Sequence, residues 1–183
     1  MRPNHLVSLD EWDAMPEEQC RRLELVDGVL QVIAAPLPKH QRAGRRLAHW
    51  LETQLPESLA VDTDVDVVLK VHPRATVRRP DVVVMPAEIW GDGGRRFDGA
   101  DMLLVAEIVS PGSERIDQEI KPGEYAAAGI QYYWIIDLGD PHSMAAHVLV
   151  DGRYEYVGGG TGKVELVSPA PLVFDLEALL LNR

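Results

Sequence analysis

The sequence predicts a mixed α/β fold bounded by an N-terminal and a C-terminal β-hairpin, and three observations carry that reading. Two Asp-Gly dipeptides, at 27–28 and 151–152, each separate strand-like runs and demand tight hairpin turns. Apolar residues recur at helical spacing between residues 43 and 55. The stretch 103–137 runs strand, helix, strand, the order of a βαβ crossover, whose two strands would be parallel.

Taken in order, Ser8 with Glu11 forms a capping box opening a short helix, and RRLELVDGVLQVIAAP supplies the first hairpin. KHQRAGRRLAHWLETQLP is an amphipathic helix, with Ala43, Leu47, Trp50, Leu51 and Leu55 on one side. AVDTDVDVVLKV alternates with a period of two, which predicts one strand with a wet face bearing Asp62, Asp64, Asp66 and Lys70. VRRPDVVVMP and DMLLVAEIVS read as more deeply buried strands, separated by a Gly-rich loop around GDGGRRFDG. SERIDQEIKPGEYAAAG is helical and stops at Gly129, and the strand QYYWIID follows. AAHVLV and RYEYV form the second hairpin, KVELVS a further strand and LVFDLEALL a closing helix.

A chain of 183 residues without an obvious linker or repeat fits a single domain spanning 1–183. Hydrophobic residues at 46% and charged residues at 26% argue against global disorder. Neither a signal peptide nor an apolar run of about 20 residues is present, so the expected location is cytoplasmic with no membrane partner. Cys20 is the only cysteine, which excludes an internal disulfide and leaves it a bystander thiol. A net charge of −11 opposes polyanion binding. Clusters at Lys39, Arg42, Arg45 and Arg46, at Arg78 and Arg79, and at Arg95 and Arg96 could still make a positive face, or could simply be solvated.

Two apparent motifs fail. The aspartates at 62, 64 and 66 begin like a calcium loop, but Val67 occupies the place of the turn glycine and Pro73 that of the bidentate Glu. GGGTGKV is preceded by Val157 where a phosphate loop needs Gly, and a strand follows instead of a helix. The six histidines show no metal-ligand spacing, and no serine lies in a nucleophile elbow.

Glu107 interrupts the buried run VAEIV, and a carboxylate there must be paired, bind a cation or become neutral. Asp81 heads the neighbouring apolar run, and Glu24 lies between Leu23 and Leu25. If the three converge, a hard divalent cation such as Mg²⁺ or Mn²⁺ would reconcile them. Taken singly, each is better explained by a salt bridge or by exposure at a strand end.

Pro80-Asp81 followed by VAEIVSPGSERIDQEIKPGEYAAAGIQYYWIID, with the LELVDG hairpin and Pro38-Lys39-His40, resembles a bacterial Uma-type endonuclease family. That family lies within the PD-(D/E)XK, restriction-endonuclease-like superfamily. The resemblance implies a central mixed sheet flanked by helices, and a metal site formed by Asp81, Glu107, the Ile108 carbonyl and Glu24. In the superfamily's usual arrangement a lysine stands two residues after the second acid, where this chain has Val109; the related family places it on the next helix, where Lys121 matches. The resemblance therefore implies Asp81, Glu107 and Lys121 as catalytic residues, with Lys70 as the alternative lysine and His40 and Gln118 as neighbours. Asp117, Tyr125, Gly129 and Tyr133-Trp134 also match, while Tyr132 replaces the family's usual acid. The implied activity is Mg²⁺- or Mn²⁺-dependent hydrolysis of phosphodiester bonds in DNA. An inactive nuclease-fold interaction or nucleic-acid-binding module is the alternative, and a homodimer is compatible with either.

Overall fold

The computed structural model describes residues 5–33, 35–91, 94, 96–110 and 112–181. In chain order the elements are α1 (Leu9–Asp13), α2 (Glu17–Cys20), β1 (Leu23–Val26), β2 (Val29–Val32), α3 (Pro38–Gln54), β3 (Leu59–Thr63), β4 (Asp66–Lys70) and β5 (Thr76–Arg78). There follow β6 (Val82–Pro86), α4 (Ala87–Gly91), β7 (Arg96–Asp98), β8 (Leu104–Val109), α5 (Lys121–Ala127), β9 (Tyr132–Asp137), β10 (Ser143–Val150), β11 (Arg153–Thr161), β12 (Lys163–Leu166) and β13 (Leu172–Asp175).

The central sheet has six strands in the order β11-β10-β9-β8-β6-β3. It is mixed: β8 and β9 are parallel, joined by the crossover through α5, while the other neighbours are antiparallel. The N-terminal hairpin belongs to a second sheet, ordered β2-β1-β5-β4-β7, and β12 and β13 form a separate pair. Both Asp-Gly turns adopt positive φ at both residues, and the Ser8–Glu11 capping box is complete.

The pleat sorts the central strands between two cores, because successive side chains point to opposite faces. Val82, Val84, Leu104, Ala106, Ile108, Trp134 and Ile136 pack with Ala43, Leu47 and Leu51 of α3 and with Phe174. Val83, Met85, Val105 and Tyr133 pack instead with Val67, Phe97, Tyr125 and Ile130, beneath α5 and the second sheet. Helices thus flank the central sheet as expected. Glu107 shares the parity of Val105 and so belongs to the second side, in reach of α5. Among the described residues no helix is long and apolar enough to cross a membrane.

Three expectations need correction. AVDTDVDVVLKV is two strands rather than one: Asp64 takes a positive φ of 55°, and the chain leaves the central sheet after β3 to enter the second sheet as β4. The aspartates therefore share no wet face: Asp66 is buried against Arg79, and Asp62 accepts from the Trp90 indole. LVFDLEALL is not a helix but β13 followed by a single 3₁₀ turn, Leu176–Leu179. Its buried residues Leu172, Phe174 and Leu176 alternate with exposed ones, a period of two that the run of leucines disguises. Within GDGGRRFDG, residues 92, 93 and 95, Arg95 included, lie outside the described residues, and Arg96–Asp98 forms β7 parallel to β4 instead of a loop.

Gly44 lies on the buried side of α3, where a Cβ would meet only the Ile108 Cδ1 at 3.7 Å, an ordinary contact. Gly44→Ala should stabilise the fold by roughly 0.5–1 kcal/mol, since it removes the backbone-entropy penalty of a mid-helix glycine. Urea unfolding monitored by circular dichroism would show this as a higher midpoint at unchanged slope.

Candidate active site

Asp81 immediately precedes β6, and Glu107 lies in β8. In the antiparallel register Val82 faces Ala106, so one further step brings Asp81 level with Glu107. The Asp81 Oδ2 accepts from the Ile108 amide at 2.7 Å and lies 3.2 Å from the His40 Nε2. His40, delivered by the first turn of α3, also reaches the Ile108 carbonyl at 2.8 Å. A carbonyl can only accept, so the proton is assigned to Nε2. Burial pulls the His40 pKa down, but the hydrogen bond to and charge of Asp81 outweigh it and the net shift is upward.

Glu107 is 2% exposed and both its oxygens are engaged from one helix. The Tyr125 hydroxyl donates to Oε1 at 2.5 Å, and the Lys121 Nζ lies 2.9 Å from Oε2. Lys121 is also 2.9 Å from the Asp117 Oδ1. The segment Ile116–Ile120 that carries Asp117 is a π-helical turn, closed by the Lys121 amide donating to the Ile116 carbonyl. Pro122, which lacks an amide proton, sits at the junction and cannot extend the ordinary ladder backwards. The Tyr133 hydroxyl secures the turn by donating to the Asp117 carbonyl at 2.5 Å. Burial, with the nearby charges of Asp81 and Asp117, pushes the Glu107 carboxyl up to about 8 against the opposing pull of Lys121. Burial alone would lower Lys121, but Glu107, Glu24 and Asp117 together raise it.

Glu24, expected as a metal ligand, is committed elsewhere. Its Oε2 accepts from the Arg78 Nη1 at 2.8 Å and its Oε1 from the Arg79 amide at 3.1 Å. Arg78, 2% exposed, also makes a two-point pair with Glu124 of α5, at 2.7 and 2.9 Å. Lys70 is exposed and paired with Asp27, outside the site, whereas Lys121 is inside it. Gln118 is exposed. The basic clusters are largely consumed in the fold: Arg42 and Arg46 donate to carbonyls of the C-terminal turn, Arg79 pairs with Asp66, and Arg96 pairs with Asp13.

A cavity of about 150 Å³ borders the site, lined by His40, Asp81, Gly44, Arg45, Thr63 and Asp64. A larger groove of about 770 Å³ adjoins it through Pro36, Gln41 and Asp64. Asp64 is exposed, and its partial desolvation at the cavity wall, then the Asp81 charge, raise its carboxyl. Its place here, like the roles of Arg78 and Glu124, was not foreseen: Asp64 stands in a period-two run, and nothing local distinguishes Glu124 from an exposed helix acid. Among the described residues no three His, Cys, Asp or Glu side chains are arranged to hold a metal ion. The chemistry of the donors nonetheless suits a hard cation. Asp81 keeps Oδ1 without a donor among the described residues, and the Glu107 carboxylate and Ile108 carbonyl are further hard oxygen donors, now hydrogen-bonded to Tyr125, Lys121 and His40.

Two consequences can be measured. Arg78→Ala would strand two carboxylates, one of them fully buried, and should cost about 3–5 kcal/mol of unfolding free energy in urea. A carboxyl raised in the folded state contributes stability that is fully present below its unfolded pKa and is lost as pH rises through the folded value. The stability difference between the wild type and Glu107→Gln should therefore move against the wild type as pH rises from about 4.5 to about 8, with Glu107→Gln lacking that component.

Comparison with curated proteins finds no match. Among solved structures, the fold matches a putative nuclease belonging to DUF820 from Anabaena variabilis ATCC 29413, with a TM-score of 0.72 and 16% identity over 95% of this chain and 97% of that one. A likeness at that identity establishes the shared fold. The family model described as Uma2, putative restriction endonuclease, matches residues 9–180, and the chain belongs to that family.

Proposed function

We propose that this chain is a divalent-metal-dependent endonuclease that hydrolyses phosphodiester bonds in DNA. The observation that carries the reading is the level placement of Asp81 and Glu107 on adjacent strands with the Lys121 ammonium on Glu107. Family membership and the nuclease-like fold support it.

Asp81, Glu107 and the Ile108 carbonyl would hold Mg²⁺ or Mn²⁺. Such an ion, when bound, lowers the pKa of water and offsets charge on the phosphate. The chain's own residues supply the rest. His40 fixes the Ile108 carbonyl and Asp81 relative to one another through Nε2. Lys121 holds a positive charge where negative charge grows on the scissile phosphate. Arg45, exposed at the cavity rim, offers a phosphate contact. Glu24 acts at second hand, by fixing Arg78 and through it Glu124 of the helix that bears Lys121.

A catalytically inactive nuclease-fold module is the second reading, favoured by the commitment of both Glu107 oxygens to the chain's own donors. Incubating plasmid DNA with purified protein and Mg²⁺ or Mn²⁺ separates the two. The endonuclease should nick or linearise the plasmid, and Asp81→Ala, Glu107→Ala and Lys121→Met should each lower the rate by about 10²-fold or more. Cleavage unchanged in Asp81→Ala and Glu107→Ala would reject the site, and no cleavage by the wild type would favour the inactive module.

A further inference from the structure

Lys121 does not belong to Glu107 alone. Its ammonium lies 2.9 Å from the Glu107 Oε2 and 2.9 Å from the Asp117 Oδ1, and all three residues are buried. Asp117, Lys121 and Tyr125 are spaced four apart along the chain. In a pure α-helix such residues drift steadily around the axis. Here the wider π turn between Asp117 and Lys121 under-rotates and the α-turn between Lys121 and Tyr125 over-rotates, so the two deviations offset and the three side chains form one column beside Glu107. The Tyr133 hydroxyl pins the Asp117 carbonyl, which fixes the base of that column.

A buried carboxylate 3% exposed, held in a π turn by a second buried hydroxyl, is a costly arrangement for a surface-type i, i+4 pair. Its geometry is that of a second seat for the lysine. We propose that Asp117 is a positioning residue: it retains the Lys121 ammonium in the site when Glu107 is given over to a divalent cation. The inference rests on the metal role proposed for Glu107. Without Asp117, a cation at Glu107 would leave the buried ammonium with no carboxylate partner, and cation binding would have to overcome that loss.

The test is a double-mutant cycle on Mn²⁺ affinity, measured by calorimetry on the full chain without DNA. Asp117→Asn should weaken binding by about tenfold, roughly the loss of one charged hydrogen bond. In a Lys121→Met background, where no ammonium needs a seat, the same change should have less than about a twofold effect. Equal affinity of Asp117→Asn and wild type would overturn the proposal, as would an equal or larger loss in the Lys121→Met background, which would make Asp117 a ligand or a general source of field. A wild type that binds no Mn²⁺ would reject the metal reading itself, and this inference with it. A measurement on the unmutated protein guards against misfolded variants. With Mg²⁺ added, the Glu107 carboxyl ¹³C signal should shift while the Lys121 ¹⁵Nζ signal persists as a hydrogen-bonded ammonium. Loss of that signal to rapid solvent exchange would count against a second seat.

Discussion

A carboxyl group buried in a strand must be answered from within the molecule, and the demand made by Glu107 organises much of what surrounds it. Strand β8 is buried along its whole length, so the carboxylate is almost wholly shielded from bulk water. The answer comes from one helical segment, which gives an ammonium to one oxygen and a phenol to the other. That answer has requirements of its own. Lysine and tyrosine must stand one turn apart and face the strand, and the crossover between the parallel strands β8 and β9 brings their helix back over that face.

The same demand extends into the second sheet. Arg78 joins Glu24 of β1 to Glu124 of α5, so the N-terminal hairpin, β5 and the lysine-bearing helix are tied by one buried guanidinium. A planar, always charged group with donors on two edges suits such a junction better than a lysine would. Placement of the site is therefore a property of both sheets, although its candidate ligands lie only at the central one. The left-handed Asp64, where the chain crosses from one sheet to the other, is at once a topological hinge and a wall of the cavity beside Asp81.

The acidic balance of the chain takes on a different meaning beside this arrangement. Much of the basic complement is spent inside the fold, where Arg42 and Arg46 satisfy the carbonyls of the C-terminal turn and Arg78 and Arg79 are paired with acids. Net charge alone consequently says little about how a polyanion would be met. What matters is which cations, such as Arg45, stay exposed at the cavity rim.

Local pattern was sufficient where one physical signal dominated. The Asp-Gly turns, the capping box, the apolar stripe of α3 and the strand-helix-strand order around α5 were legible because each depends on neighbours a few residues away. The anomaly of Glu107 was legible too, since a carboxylate in a buried run conflicts with its surroundings whatever the fold. Pairings across 46 to 55 residues, such as Arg78 with Glu124 and Glu24 with Arg78 and Arg79, leave no trace in local spacing. Those were decided by the sheets, as was the parting of β3 from β4, which a continuous period of two concealed. Sequence determined which residues could not be left alone in the interior. Tertiary structure decided which partners they received, because an ion pair depends on distance in space, and only the folded chain sets that distance.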